Sequence, residues 1–582
     1  MKRTTEEPRF ALERLSRQHL GEAPSPGARL RALLALERRD LVAIVAFAAA
    51  VGVLGLATPV AVQALLNSVA FLTLLQPIVV LSLLLTAGLL VSSLLVGLQT
   101  LLVELLSRRV FVRVLSDFAI RLPRVRHDAP EGLRAADRVD RFFDVVTIEK
   151  ATATLLFDGL AATLQIAAGM ALLAVYHPLL LAFDAGLALV LGGIFLVLGR
   201  GAIQSAVNES KQKYAAAEWL QTVARHEAVF QTASGASWAA RGTEANAHAW
   251  LDARERHFRV VFRQLIALLV VQVVVSSGLL ALGGALVIEG QLSLGQLVAA
   301  EIVLASTVLS LSKIGKMLGK FYDLLAAVDK IGSVLDLPVE RCIGEQIPAG
   351  TEPLELRVVD LRVDTGDGHL SQPLGLHVAP GERVALRKGS GCSRRALLEV
   401  LVGRREVAAG AAEVGGYDVR DLEPHALRDA CAHLAEIDVI PGTLRDNVLI
   451  GREMDSAALR RLLESCGLGG TLTRLPDGLE THIDRDGGPL GIAELPLLML
   501  ARALCGAPRV LLIDRVLDTM TPAARRLALG RLESEESKMT IVVATDLDDV
   551  AAAMQRTLVP GMPHAVTASR GQPTTDGATG AA

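Results

Sequence analysis

The stretch LVAIVAFAAAVGVLGLATPVAVQALLNSV, residues Leu41–Val69, carries no charged side chain from end to end. About 20 apolar residues suffice to cross the hydrocarbon core of a bilayer, and a proline such as Pro59 is tolerated inside such a segment. Outward from it, five more apolar runs qualify as spans: Ile78–Leu106, Leu155–Tyr176, Leu179–Leu198, Leu265–Ile288 and Leu294–Leu311. The expected fold therefore begins with a six-helix transmembrane bundle.

The basic residues orient it. Between the second and third spans lie Arg108, Arg109, Arg113, Arg121, Arg124, Arg126, Arg134, Arg138, Arg141 and Lys150. Between the fourth and fifth lie Arg200, Lys211, Lys213, Arg225, Arg241, Arg254, Arg256, Arg259 and Arg263. The other connections contain neither lysine nor arginine. The positive-inside rule predicts that both termini and both long loops of this multi-pass protein are cytoplasmic; a bacterial inner membrane is its expected location. Helical periodicity in Val110–Leu122 and Tyr214–Val229 predicts that the spans run on into the cytoplasm as long helical extensions.

Composition agrees with a mixed chain. Hydrophobic residues make up 51% of the 582 positions, yet 21% are charged, so the apolar excess is concentrated in the spans. A net charge of −3 and 4% aromatic content give no field and few stacking platforms for nucleic acid, which is excluded as a partner. The five cysteines, Cys342, Cys392, Cys431, Cys466 and Cys505, follow the spans without metal-ligand spacing and read as free buried thiols.

Residues 1–40 are a polar cytoplasmic segment, in which Arg29–Arg39 can form a short helix, either on the membrane surface or solvated. The membrane domain occupies 41–335, with Lys313–Asp336 read as an amphipathic segment after the last span, and a Gly/Pro-containing linker fills 336–353. From residue 354 to 560, β-type runs (Leu354–Val359, Arg383–Leu386, Val510–Ile513, Ile541–Ala544) alternate with helical stretches, which predicts an α/β domain with a mostly parallel sheet. The small polar residues of 561–582 predict a disordered tail.

Several stretches, in order, resemble the half-transporters of the ATP-binding cassette (ABC) exporter family. They are ATPVAVQALLNSV (Ala57–Val69), GGALVIEGQLSLGQLVA (Gly283–Ala299), YDLLAAVDKIGSVLDLPVE (Tyr322–Glu340), PGERVAL (Pro380–Leu386), IPGTLRDNV (Ile440–Val448), ARAL (Ala501–Leu504) and VLLID (Val510–Asp514). The resemblance implies a type I exporter bundle joined to a P-loop-NTPase-like cassette, working in the lipid bilayer as a dimer with itself or with a second half-transporter.

The resemblance also implies where ATP should be gripped, and there the residues change. A phosphate loop needs GxxxxGK[ST], so that backbone N–H groups cradle the phosphates, a lysine reaches them and a hydroxyl binds Mg²⁺. This chain has RKGSGCSRRALL (Arg387–Leu398), with Lys388 for the first glycine, Ser393 for the second, Arg394 for the lysine and Arg395 for the hydroxyl. Gly389, Ser390, Gly391, Arg394 and Arg395 make up a degenerate, still cationic loop; weak binding of ATP or another anion is the most it is expected to offer. The position of the metal-sensing glutamine is Ala435, and the aromatic expected near Val363–Asp364 for base stacking is absent. The signature LSGGQ reads Leu490, Gly491, Ile492, Ala493, Glu494, which brings a negative charge towards the partner's phosphates. Asp514 remains as a Mg²⁺ ligand candidate, the catalytic glutamate is Arg515 and the switch histidine is Thr545. A guanidinium that never deprotonates cannot polarise water.

Within the spans, Asp184 and Glu301 are costly carboxylates and so candidates for a translocation pathway, unless they lie near the outer interface where water reaches them. The leading expectation is an exporter-type subunit whose cassette has lost hydrolysis and serves in dimerisation or regulation. Two rivals stay open, a non-transporting membrane scaffold or sensor with a pseudo-cassette, and an unorthodox ATP-driven exporter. The substrate is not legible.

Overall fold

The computed structural model describes residues 25–71, 76–126, 139–363, 370–388, 394–534 and 538–559. The tail expected to be disordered and most of the N-terminal segment lie outside the described residues. Two compact units result: the chain up to Leu337, and the chain from Pro338 on, with Arg124, Val125 and Arg126 grouped with the second.

The first unit is helical: α1 (Pro26–Leu36), α2 (Arg38–Leu54), α3 (Ala57–Phe71), α4 (Gln76–Arg121), α5 (Asp144–Thr154), α6 (Leu160–Tyr176), α7 (Pro178–Gly193), α8 (Ala202–Arg225), α9 (Glu227–Phe230), α10 (Ala233–Ile288) and α11 (Leu294–Leu335). Among the described residues, six helical segments are long and apolar enough to cross a membrane. The first expected span is two helices, parted at Gly55 and Leu56. Pro59 falls in the first turn of α3, where a missing N–H forfeits no helical bond. Val110–Leu122 does run on from the second span, within α4 to Arg121, whereas Tyr214–Val229 is divided between α8 and α9 and is parted from the fourth span by the turn at 199–201. At 1.5 Å per residue, the 46 residues of α4 and the 56 of α10 extend about 70 and 84 Å, well beyond a hydrocarbon core. Lys313–Asp336 is not a separate segment, because α11 continues unbroken to Leu335.

Local chemistry sets the ends. His177 caps α7 by accepting the Leu179 N–H on Nδ1 at 3.2 Å, and Pro178 occupies the first helical position. Ser293 and Gln296 form a reciprocal capping box that starts α11. Helix α1 lies against α11: Arg29 pairs with Asp329 at 2.7 Å and with Asp336. The described part of the N-terminal segment is therefore packed on the membrane unit and is not a free solvated helix. Several loop arginines are likewise engaged, Arg113 with Glu37 at 2.7 Å and Arg109 with Asp40 at 2.5 Å.

Inside the bundle, Leu173, Leu180, Leu187, Val275, Leu279, Leu286, Ala300, Val303 and Leu304 form one apolar cluster. Leu83, Leu84, Leu90 and Leu94 on α4 are exposed, as expected of a face that meets lipid. Helices α6 and α11 approach closely at Gly169, where a Cβ would come within 2.9 Å of Val303 Cγ1.

The second unit contains β1 (Leu356–Arg362), β2 (Leu374–Val378), β3 (Arg383–Leu386), α12 (Arg394–Leu401), β4 (Ala409–Val414), β5 (Tyr417–Asp418), α13 (Pro424–Ala430), β6 (Cys431–Leu434), β7 (Gly442–Thr443), α14 (Leu444–Leu449), α15 (Ser456–Ser465), α16 (Gly469–Arg474), β8 (His482–Ile483), α17 (Leu495–Cys505), β9 (Val510–Asp514), α18 (Val516–Thr519), α19 (Pro522–Glu533), β10 (Thr540–Ala544), α20 (Asp548–Ala552) and β11 (Arg556–Leu558). The predicted parallel sheet is one of two main sheets. Five strands run parallel in the order β11-β3-β10-β9-β6, whereas β2-β1-β4-β5 form an antiparallel sheet. The signal for the second was present in LGLHV, where Leu374, Leu376 and Val378 are buried and alternate with exposed Gly375 and His377. Of the cysteines, Cys431, Cys466 and Cys505 are buried free thiols, Cys342 is exposed, and Cys392 lies outside the described residues.

Candidate functional site

Parallel pairing brings the carboxyl ends of four strands to one edge. Ala544 is in register with both Leu386 and Asp514, and Leu434 with Ile513. The residues that follow each strand therefore meet there, which is where open α/β sheets bind ligands. Arg394 and Arg395 at the start of α12, Ala435 after β6, Asp514 and Arg515 at the end of β9, and Thr545 after β10 all share that edge. Gly389, Ser390 and Gly391 lie outside the described residues.

Arg394 is turned back onto the end of β10. Its Nη1 donates to the Thr545 carbonyl at 2.9 Å and lies 2.9 Å from Asp546 Oδ1, while Nη2 donates to Asp546 Oδ2 at 3.0 Å. This forked, two-point grip is the geometry in which a guanidinium binds a carboxylate best. The side chain is 10% exposed, and Arg394 holds the Asp546 carboxyl below its usual range.

Arg395 is held by two carboxylates. Its Nε donates to Glu399 Oε1 at 3.0 Å and its Nη2 to Glu436 Oε1 at 2.5 Å. Arg405 Nε takes the other Glu399 oxygen at 3.0 Å, so a carboxylate only 3% exposed bridges two guanidinium groups. Thr545 is also committed: its hydroxyl donates to Asp518, whose second oxygen accepts the Asp546 N–H at 2.8 Å.

Asp514 is buried at the end of β9, 3.9 Å from Arg515 Nε. Burial pushes its carboxyl up, and the nearby Arg515, Arg395 and Arg394 offset only part of that. Arg515 itself adopts φ 56°, the left-handed region where a side chain costs about 1–2 kcal/mol. Among the described residues, no group of three His, Cys, Asp or Glu side chains converges to hold a metal ion.

Beside this edge, His433 on β6 has both ring nitrogens buried without partners. Burial first, then Arg404 and Arg395, lower its pKa from 6.5 to about 4, against the pull of Glu399 and Glu436. The unfolded chain therefore takes up a proton near pH 6.5 that the folded chain refuses until about pH 4. Folding stability is expected to be full above about pH 6.5 and to fall as pH drops towards about 4, by up to about 3 kcal/mol. Calorimetry of the purified protein at about pH 7 and about pH 5 checks this, and His433→Phe should flatten the difference.

The signature segment is placed elsewhere, before α17. Glu494 accepts from Thr471 Oγ1 at 2.5 Å, from the Gly491 N–H at 2.7 Å and from Arg474 Nη2 at 2.7 and 2.8 Å. Burial raises its carboxyl pKa, but those hydrogen bonds outweigh it and the net shift is downward. The expected negative charge is thus paired within its own unit. Leu490 is buried, Gly491 is exposed, Ala493 is half-buried, and Ile492 is 86% exposed.

In the other unit, Asp184 is 3% exposed, and both of its oxygens, together with Glu301 Oε1, are buried without a partner. Sequence reading did not find Glu399, Glu436, Asp518, His433 or Asp546. Only the Arg395–Glu399 spacing of four within one helix was a readable signal.

No family model matches the chain. It is 26% identical over 403 residues to the mycobactin import ATP-binding/permease protein IrtB of Mycolicibacterium thermoresistibile, covering 66% of each chain. It is 26% identical to an ATP-dependent lipid A-core flippase of Burkholderia orbicola, over 39% of each chain. It is also 26% identical to the glutathione/L-cysteine transport system ATP-binding/permease protein CydD of Escherichia coli, over 40% of this chain and 41% of that one. The chain thus spans less than two thirds of the length of each of these relatives. A solved bacterial Atm1-family ABC exporter with ATP bound superimposes with a TM-score of 0.79 at 17% identity, covering 90% of this chain and 94% of that one.

Proposed function

We infer that this chain, which has the fold of an Atm1-type ABC exporter and whose homologues are ABC ATP-binding/permease proteins, is a membrane transport subunit with a non-hydrolysing cassette. It sits in the bacterial inner membrane with both termini in the cytoplasm. It works as one half of a pair, with a second copy or with a second half-transporter.

One observation carries this reading. The two guanidinium groups at the phosphate-lysine and metal-hydroxyl positions are already neutralised from within, Arg394 by Asp546 and Arg395 by Glu399 and Glu436. Binding a triphosphate there would mean breaking these pairs. A magnesium ion would have to enter beside Arg395 and Arg515 with Asp514 as its acidic ligand, and like charges at that range repel. The residues present do not fit Mg-ATP. They fit a rigid polar joint between β10, α12 and the turn after β6, as suits a cassette that serves in dimerisation or regulation.

Titration of the full-length protein with a fluorescent ATP analogue tests the reading. Saturable binding that tightens with Mg²⁺ is not expected. Its appearance, and its loss in Asp514→Asn, would contradict the inference.

A further inference from the structure

Helix α7 carries a single ionisable residue, Asp184, about 9 Å along the helix from Pro178 at 1.5 Å per residue. It shares a face with Leu180 and Leu187, and all three are buried. That face enters the apolar cluster formed with Leu173 of α6, Val275 and Leu279 of α10, and Ala300, Val303 and Leu304 of α11. The contact with α10 is close, since Phe183 lies against Gly278, where a Cβ would meet its ring at 3.2 Å.

Among the described residues, the helices packed around Asp184 bring it no cation to balance a charge. On the membrane portions of α6, α10 and α11, residues 160–176, 264–288 and 294–312, the only titratable groups are Tyr176 and Glu301. Tyr176 donates its hydroxyl to Gln63 Oε1 at 2.6 Å, and Glu301 is another acid. An ionised carboxylate left unpaired in an apolar interior is so costly that the group neutralises instead. Neutralised, it still places unpaired polar atoms where a leucine would pack better. Such a residue suits a helix that does not always stay packed.

We propose that Asp184 is a proton-binding site of the membrane domain, which holds its proton while α7 is packed against α6, α10 and α11 and releases it when α7 leaves them. The two states then differ in proton affinity. Every tenfold in that difference is a tenfold shift in their populations, with acid favouring the packed state and alkali the opened one. The site therefore makes the helix arrangement sensitive to pH on whichever side α7 opens towards, independently of the cassette.

Infrared spectroscopy of the full-length protein in lipid nanodiscs tests this at about pH 7, well above the ordinary aspartate range. A protonated-carboxyl C=O band is expected in the wild type and in Glu301→Gln, and is expected to be missing from Asp184→Asn. Wild-type and Asp184→Asn spectra without that difference would overturn the proposal. Asp184→Leu supplies a second readout should the amide variant fail to accumulate. It is expected to raise the melting temperature, by a margin that widens as pH rises above the ordinary aspartate range, because the folded wild type keeps a proton that its unfolded chain gives up and the leucine variant has none to keep. A melting temperature lowered equally at every pH would assign Asp184 a packing role and overturn the proposal.

Discussion

Replacing Glu399 with Ala should lower the unfolding free energy of the second unit by about 3 kcal/mol, the largest effect expected of a single change at the strand-end edge. The carboxylate is 3% exposed and bridges Arg395 and Arg405, with one oxygen to each. Its removal leaves two guanidinium groups facing each other across the space it occupied. The cost sits at the lower end for broken buried pairs because Arg395 and Arg405 are 46% and 28% exposed and regain some water. Differential scanning calorimetry of the purified protein reads it directly. Glu399→Gln should recover part of the loss, since an amide oxygen can still accept from one arginine.

The second large effect belongs to Arg394. A residue serving only to bind ATP could be truncated with little change in stability. Here Arg394→Ala should cost about 2 kcal/mol, since it frees the Thr545 carbonyl and Asp546 together. Asp546 is half exposed, so water softens that loss. The double variant Arg394→Ala, Asp546→Ala isolates the pair itself, and a coupling of about 1 kcal/mol or more is expected from the cycle. Additive losses would show the two side chains to be energetically independent.

What was legible in the sequence follows from the range of each interaction. The spans are announced by local composition, and six were correctly placed. Several of their ends agree as well, Ile78, Tyr176, Leu198, Ile288 and Leu294 among them, but internal breaks and continuations were not legible. The break at Gly55 separates two segments that are equally apolar, and the continuation of α11 to Leu335 depends on packing that polar residues such as Lys313 and Lys316 do not reveal. The residues at the strand ends were identified one by one as departures from a motif, and parallel register brought them to one edge. Their partners were harder to see. Arg394 meets Asp546 across 152 positions and Arg395 meets Glu436 across 41, and no local pattern encodes such a pairing. Reading the arginines alone suggested a free cationic loop, whereas three neighbouring carboxylates consume the charge of Arg394 and Arg395. The same blindness applies to Asp184: that no cation among the described residues pairs with it depends on which faces of α6, α10 and α11 meet it.

The proposed loss of Mg-ATP binding rests on one physical point: Arg394 and Arg395 at the strand-end edge are already paired within the chain to Asp546, Glu399 and Glu436. Release of inorganic phosphate from Mg-ATP by the purified full-length protein in nanodiscs, measured beside Asp514→Ala, tests it most directly. The predicted rate for the wild type matches that of the variant. Magnesium-dependent turnover that disappears in Asp514→Ala would contradict it.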